Sequence, residues 1–232
     1  MTVLHLADEG EAADLAAFLS RLLHYDRGAA VRLQAAGTAL AVFGRPPSFE
    51  VLAIRAVRLG KPYENGLDVT LDATVSAGEL LEAVDEPAAT AVVPDAVTGP
   101  PWAGVLPPRG GWRSVPGLPA PDALRAMVRA GVAEFRSRTQ ELTPERRTRG
   151  ELDRIGREIW SRSVGDTHLP VRAVHAAQSL GFLRVRQDTS TPDEAPQLGL
   201  FSSGAWLRLR TPYGSIAVRR AGLGALDVSV SR

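Results

Sequence analysis

The chain has 232 residues, of which 44% are hydrophobic and 23% charged, and it contains no cysteine. This composition is typical of a globular protein, and it excludes disulfides, thiolate nucleophiles and cysteine-bound zinc. No apolar run approaches the roughly 20 residues that span a bilayer. The acidic N-terminal sequence lacks the basic and apolar regions of a signal peptide. We therefore expect a cytoplasmic protein with no membrane partner.

Formal charge is divided unevenly along the chain. Residues 1–116, the N-terminal half, carry 9 Lys+Arg and 14 Asp+Glu, a net of −5, whereas residues 117–232, the C-terminal half, carry 18 and 12, a net of +6. An acidic half followed by a basic half favours a nucleic-acid or acidic partner for the basic half, or attraction between the halves themselves. Because Lys61 is the only lysine, the arginine richness also fits the codon bias of a high-GC genome.

The beginning of the chain is predicted to be an acidic α+β lobe over residues 1–97. Apolar spacing predicts a short strand at residues 3–6 and a helix over residues 9–24. Alternating apolar residues then predict three or four antiparallel strands, which form a sheet with one solvent-exposed face. Ser76 and Glu79 form a capping box at the start of a second helix. Since strands and helices do not alternate, parallel crossovers are not expected.

A segment rich in proline, glycine and tryptophan follows, within a stretch from Glu86 to Pro121 that has no helix or strand pattern. Flexible linkers are poor in tryptophan, because an exposed indole leaves a large apolar surface in water. We therefore interpret residues 98–118 as an ordered strap, in which Trp102 and Trp112 pack on one or both lobes. The alternative is a proline-rich ligand for an aromatic groove on a partner. Buried indoles would favour the strap, and exposed indoles the ligand.

Residues 119–232 are predicted to form a basic lobe of three helices and a β-hairpin. The third helix, in LPVRAVHAAQSLGFL, is expected to begin at Pro170 and to end at Gly181. The segment AWLRLRTPYGSIAVRR predicts a hairpin with its turn at TPYG, and ALDVSVSR predicts a final edge strand. Three helices followed by a hairpin are typical of a winged helix, whose third helix enters the DNA major groove.

This winged-helix interpretation selects candidate binding residues on the third helix and on the strands that follow it. Their side chains suit contacts with phosphates or base edges. The residues expected to contact DNA or an acidic protein surface are Arg172, His175, Gln178, Arg184, Arg186, Arg208 and Arg210. The alternative is that the third helix merely needs a polar face, since three helices and a hairpin also occur in folds that do not bind DNA.

Signatures of catalysis are absent from the sequence. It contains no G-x-S-x-G, Walker, G-x-G-x-x-G or H-E-x-x-H motif. His168, His175 and Asp166 match no zinc spacing, so we expect no metal site and no cofactor. The arginines of residues 136–154 are interleaved with glutamates, which is typical of a solvated helix surface with i,i+4 pairs.

The segments LPVRAVHAAQSLGFL and AWLRLRTPYGSIAVRR, with the upstream LPPRGGWR, resemble a family of actinobacterial hypothetical proteins of unknown activity. The resemblance implies a source lineage and a two-part layout, and it transfers no site residues.

The residues and the resemblance together predict a two-lobed α+β protein that is a binding or regulatory protein rather than an enzyme. We expect it to act through the basic lobe on DNA or on an acidic protein surface. Two alternatives stay open. One is an enzyme or small-molecule binder with a pocket between the lobes. The other is an assembly protein that dimerises through the N-terminal sheet.

Overall fold

The computed structural model describes residues 2–61, 71–102, 106–184 and 198–220. The helices within these residues are α1 Glu9–Tyr25, α2 Ala77–Glu82, α3 Pro121–Gln140, α4 Arg149–Trp160 and α5 Val171–Ser179. The strands are β1 Thr2–His5, β2 Ala30–Ala36, β3 Ala39–Gly44, β4 Leu52–Arg58, β5 Leu71–Ser76, β6 Val84–Asp85, β7 Thr90–Val93, β8 Arg113–Val115, β9 Gly199–Ser203, β10 Trp206–Thr211 and β11 Gly214–Arg219. The final edge strand expected in ALDVSVSR lies outside the described residues.

Eight of these strands form one antiparallel sheet in the order β5-β2-β3-β4-β11-β10-β9-β8, and β1, β7 and β6 form a separate small sheet. The two halves of the chain meet inside the large sheet, where β4 pairs with β11 through Ile54 opposite Ser215 and Ala53 opposite Ile216. The predicted α+β class with an antiparallel sheet is therefore confirmed. The lobe boundaries expected near residues 97 and 118 stay predictions.

The winged-helix-like arrangement of the C-terminal half is not confirmed. The predicted hairpin forms, with Thr211 opposite Gly214 at its turn, but it lies within the large sheet rather than beside the helices as a wing. The reason is that β11 has apolar side chains on both of its faces. Ile216 and Val218 face the helices, while Ala217 packs into a second cluster on the other side. A strand that is apolar on both faces is typical of a sheet that is covered on both sides.

Local capping signals place the helices close to where the sequence predicts them. The Asp8 carboxylate accepts a hydrogen bond from the Glu11 N–H at 2.8 Å, and the Ser76 hydroxyl accepts one from the Glu79 N–H at 3.3 Å. Gly181, just beyond α5, has a φ of +76°, a conformation that favours glycine. The hydrogen bond from the Glu79 N–H to the Ser76 hydroxyl confirms the predicted cap of α2.

Short strands lie where the sequence predicts no regular structure. β7 and β8 fall within residues 86–121, and β9 precedes the predicted hairpin. Each pairs with a strand that is distant along the chain or contains too few residues to show a periodic pattern. Tertiary pairing, rather than local propensity, creates these strands.

The large sheet has two differently covered faces. On the helix face, the buried side chains of β2, β3, β10 and β11 pack with α1, α3 and α5 in one core that spans both halves of the chain. We call the opposite side the strap face, because Trp102 and Leu106 of the predicted strap pack on its apolar residues. At one end, the Val97 N–H donates to the Thr74 carbonyl on β5 at 2.8 Å, and at the other end β8 pairs with β9.

None of the described helices combines the length and the apolar character that crossing a bilayer requires.

Candidate functional site

The structure does not bring the predicted binding residues onto one surface. α5 packs on the helix face, where its Val174 joins the same core as Ile216 of β11. In β10, the core residues Leu207 and Leu209 alternate with Arg208 and Arg210. Because successive strand residues point to opposite faces, the two arginines lie on the strap face. The predicted set is therefore divided between opposite sides of the sheet, and Arg186 lies outside the described residues.

Arg172 and Arg184 pair with carboxylates of the acidic half. Nε of Arg172 lies 3.9 Å from Oε2 of Glu50. Arg184 pairs with Asp14, and its guanidinium carbon lies 3.6 Å from the ring centroid of Tyr213. These contacts agree with the alternative that the two halves attract each other, although the buried Nε of Arg172 has no hydrogen-bond partner.

His175 and Gln178 lie beside a groove between α3 and α5. The His175 ring stacks on Trp160 at 4.4 Å between ring centroids and meets Phe49 edge-on at 5.1 Å. Burial lowers the pKa of His175, so that the imidazole is neutral at pH 7. We call this cavity the α3–α5 groove. Its volume is about 490 Å³, and it is lined by Val128, Arg129, Val132, Ala133, Arg136, His175, Gln178 and Ser179.

Arg208 and Arg210 belong to a second cluster, on the strap face, in which arginines alternate with aromatic rings. The distances from guanidinium carbon to ring centroid are 5.8 Å for Arg208 and Trp112, 6.0 Å for Arg210 and Phe201, and 5.1 Å for Arg219 and Trp206. Such distances lie within the range of cation–π attraction. We call these six residues the arginine–aromatic patch.

Arg208 is the most unusual residue of this patch. Its Nε is buried and has no hydrogen-bond partner, and among the described residues its guanidinium forms no ion pair. Burial, and then the nearby positive charge of Arg210, lower the pKa of Arg208, but a guanidinium remains charged at neutral pH. A half-buried cation without a counter-charge is a place where a bound anion would be strongly stabilised.

The two tryptophans of the predicted strap have different surroundings. Trp102 is 7% exposed, packs against Phe43, Leu52 and Ile54, and donates from Nε1 to the Thr74 hydroxyl at 3.0 Å. Trp112 is half-buried, and its Nε1 donates to the Pro108 carbonyl at 3.1 Å. Trp102 therefore covers the apolar part of the strap face, and Trp112 contributes a ring to the arginine–aromatic patch.

Sequence reasoning missed several residues of both clusters. Trp206 could have been found from the alternation in WLRLR, which places it on the same strand face as the two arginines. Phe201 gave no such signal, because no strand was expected there. Arg129 and Arg136 are seven residues apart on a predicted helix, but only the position of α5 identifies which face of that helix borders a groove.

Among the described residues, no group of three or more His, Asp or Glu side chains is arranged to hold a metal ion.

Comparison with known families divides the chain near the strap. A family model described as Domain of unknown function (DUF8185) matches residues 107–223, and a second, described as Domain of unknown function (DUF8010), matches residues 1–104. The junction lies between Trp102 and Trp112, so the whole arginine–aromatic patch falls within the first match. No curated protein and no solved structure matched the chain.

Proposed function

The chain belongs to the DUF8185 family, and from this premise we propose that it binds single-stranded nucleic acid through the arginine–aromatic patch. The observation that carries the proposal is Arg208, a half-buried cation with no ion pair among the described residues, beside a second arginine and three aromatic rings. The protein acts as a binding protein and not as an enzyme.

The arginines of the patch supply sites for phosphates. Arg208 and Arg210 lie two residues apart on one strand, which separates their Cα atoms by about 6.8 Å on the same face. Arg210 is exposed, whereas Arg208 is half-buried. A phosphate at this position gains charge-assisted hydrogen bonds and supplies the counter-charge that Arg208 lacks within the described fold.

The aromatic rings distinguish nucleic acid from an acidic protein surface. Trp112, Phe201 and Trp206 are all half-buried, so each keeps part of its ring surface open to solvent. Unpaired bases stack on such rings and on guanidinium planes regardless of sequence, and each stacked base contributes about 1–3 kcal/mol. An acidic protein would satisfy the arginines but would leave the rings unused.

The position of α5 favours a single strand over a duplex. Recognition of duplex DNA by a winged helix needs a helix that projects into the major groove. In this protein Val171, Ala173, Val174, Ala176 and Ala177 of α5 are buried, and the polar side of the helix borders a groove. A duplex presents only the edges of its bases in its grooves, whereas a single strand can also stack the faces of its bases on the rings of the patch.

Fluorescence anisotropy with end-labelled oligothymidine and a duplex of equal length tests the proposal. We expect the single strand to bind more tightly and its affinity to fall steeply between about 50 and 200 mM salt. Arg208→Gln with Arg210→Gln is the test variant. Arg149→Gln with Arg157→Gln is the matched control, because it removes the same charge from two exposed arginines of α4.

Three results would overturn the proposal. One is the absence of any anisotropy change at about 50 mM salt, where electrostatic binding is strong. The second is an equal loss of affinity in both double variants, which would mean that total charge, rather than the patch, attracts the oligonucleotide. The third is a preference for the duplex, which would contradict the stacking of unpaired bases on the patch.

A further inference from the structure

We propose that the α3–α5 groove is a second binding site, independent of nucleic-acid binding, for a small organic anion. The ligand class is a carboxylate or phosphate ester that also carries a hydroxyl or amino hydrogen-bond donor. The groove lies in the helical layer, on the opposite side of the sheet from the arginine–aromatic patch, so the two sites do not share a residue.

The shape of the groove suits a small molecule. Its volume of about 490 Å³ lies within the range of roughly 300–1,000 Å³ that is usual for small-ligand sites. Val128, Val132 and Ala133 give one wall an apolar surface, and His175, Gln178 and Ser179 supply polar groups from the facing helix. Apolar walls with a few convergent polar groups are typical of such sites.

Two positive charges lie along the α3 side of the groove. Arg129 and Arg136 are seven residues apart, which places them about 10.5 Å apart along one side of the helix. Both are exposed, and neither forms an ion pair among the described residues. Elsewhere on the same helix, Arg138 donates to Glu158 at 2.8 Å. One side of α3 is therefore neutralised by α4, and the groove side keeps its charge.

The α5 side of the groove presents one buried polar atom without a partner. Oε1 of Gln178 is buried and has no hydrogen-bond partner, although buried polar atoms are normally satisfied. A hydroxyl or amino donor on the ligand would supply that partner. His175 is held in place by its stacking on Trp160 and its edge contact with Phe49. The neutral imidazole supplies one donor and one acceptor.

Titration of the protein with citrate tests this inference, because citrate carries both carboxylates and a hydroxyl. Inorganic phosphate tests the other anion, and glycerol is the uncharged control. The readout is the NMR signal of the His175 ring and of the Trp160 indole, at constant ionic strength. We expect citrate or phosphate to shift both signals and glycerol to shift neither. A response to phosphate alone would assign the site to phosphate esters, and a response to citrate alone would assign it to carboxylates.

Variants assign the response to the groove. Arg129→Gln with Arg136→Gln should weaken citrate or phosphate binding about tenfold, because the variant removes two exposed positive charges that attract the anion. Arg149→Gln with Arg157→Gln should change it less than about twofold, because these exposed residues of α4 lie outside the groove lining. Gln178→Ala should weaken citrate binding, because it removes the acceptor Oε1 that the hydroxyl of citrate would reach.

The inference is overturned by unchanged His175 signals up to about 10 mM of both anions, which would exclude even a millimolar dissociation constant. Equal weakening in the two double variants would overturn it as well. Arg208→Gln with Arg210→Gln should retain the citrate or phosphate response, so that failure of this site and failure of the nucleic-acid site are distinguishable. Circular dichroism confirms that each variant is folded.

Discussion

Two arginines on opposite faces of the sheet have opposite surroundings. Arg55 of β4 lies on the helix face and is 5% exposed. Its Nη2 lies 2.7 Å from Oε2 of Glu11 and 3.3 Å from Oδ2 of Asp14, and its Nη1 donates to the Tyr213 carbonyl at 2.8 Å. Arg208 of β10, on the strap face, has no ion pair among the described residues.

This difference separates a structural charge from one that is available to a ligand. Arg55 joins α1 to the turn of the C-terminal hairpin, so its charge is compensated within the fold and connects the two halves. The charge of Arg208 is not compensated within the described fold, and its surroundings contain rings rather than carboxylates. A buried charge without a partner is costly to the fold, and a bound anion would offset that cost at Arg208.

The largest effect is expected where the strap closes the apolar part of its face. Trp102→Ala should lower the free energy of unfolding by about 3–5 kcal/mol, because it leaves a cavity against Phe43, Leu52 and Ile54. Urea unfolding measures the change, and Trp112→Ala, at a half-buried site, should cost less. Equal small losses in both variants would mean that the strap does not hold the sheet.

The second-largest loss of stability is expected at Arg55, on the helix face. Arg55→Met should destabilise the protein by about 3 kcal/mol, because the half-buried carboxylate of Glu11 and the Tyr213 carbonyl lose a charged donor. Arg58→Met is the control. Its side chain also pairs with Glu11 but is 72% exposed, so its loss should stay below about 1 kcal/mol. A harmless Arg55→Met would remove the contrast between the faces.

Arg208→Met should leave stability unchanged or raise it, because removing an uncompensated half-buried charge relieves its desolvation. The change in unfolding free energy should be less than about 1 kcal/mol, while oligothymidine binding is lost. Denaturant unfolding and anisotropy on the same sample separate the two properties. A loss of stability comparable to that of Arg55→Met would show that Arg208 is a structural residue.

The smallest effect concerns pH and the helical layer. Burial lowers the pKa of His175, so the unfolded chain binds this proton more tightly than the folded chain. The contribution of neutral His175 to the free energy of unfolding is therefore fully present above the ordinary imidazole pKa of about 6.5. It decreases as the pH falls through that value toward the lower pKa of the folded protein. His175→Phe should reduce the loss of stability between pH 7 and about 5. If His175→Phe and the unaltered protein lose stability equally between pH 7 and about 5, His175 is not the group that causes the loss.

The sequence predicts the local elements well and the long-range arrangement poorly. The helix starting after Asp8, the cap at Ser76 and the turn in TPYG all depend on neighbouring residues, and the structure contains them. The pairing of β4 with β11 joins residues about 160 positions apart, and no periodicity can indicate it. An isolated hairpin and a hairpin inside a sheet have the same local pattern.

The residues of the candidate site also divide into features that the local sequence predicts and features that only the fold determines. Composition and charge identified the basic half, and the alternation in β10 can identify Trp206 as a residue that shares a face with Arg208. Which arginines are compensated was decided by the fold alone. Asp14 and Glu50 approach Arg184 and Arg172 only because the C-terminal strands continue the N-terminal sheet. Local sequence determines which side of a strand or helix a residue occupies, and tertiary packing determines which charges meet there, because ion pairing depends on distance in space.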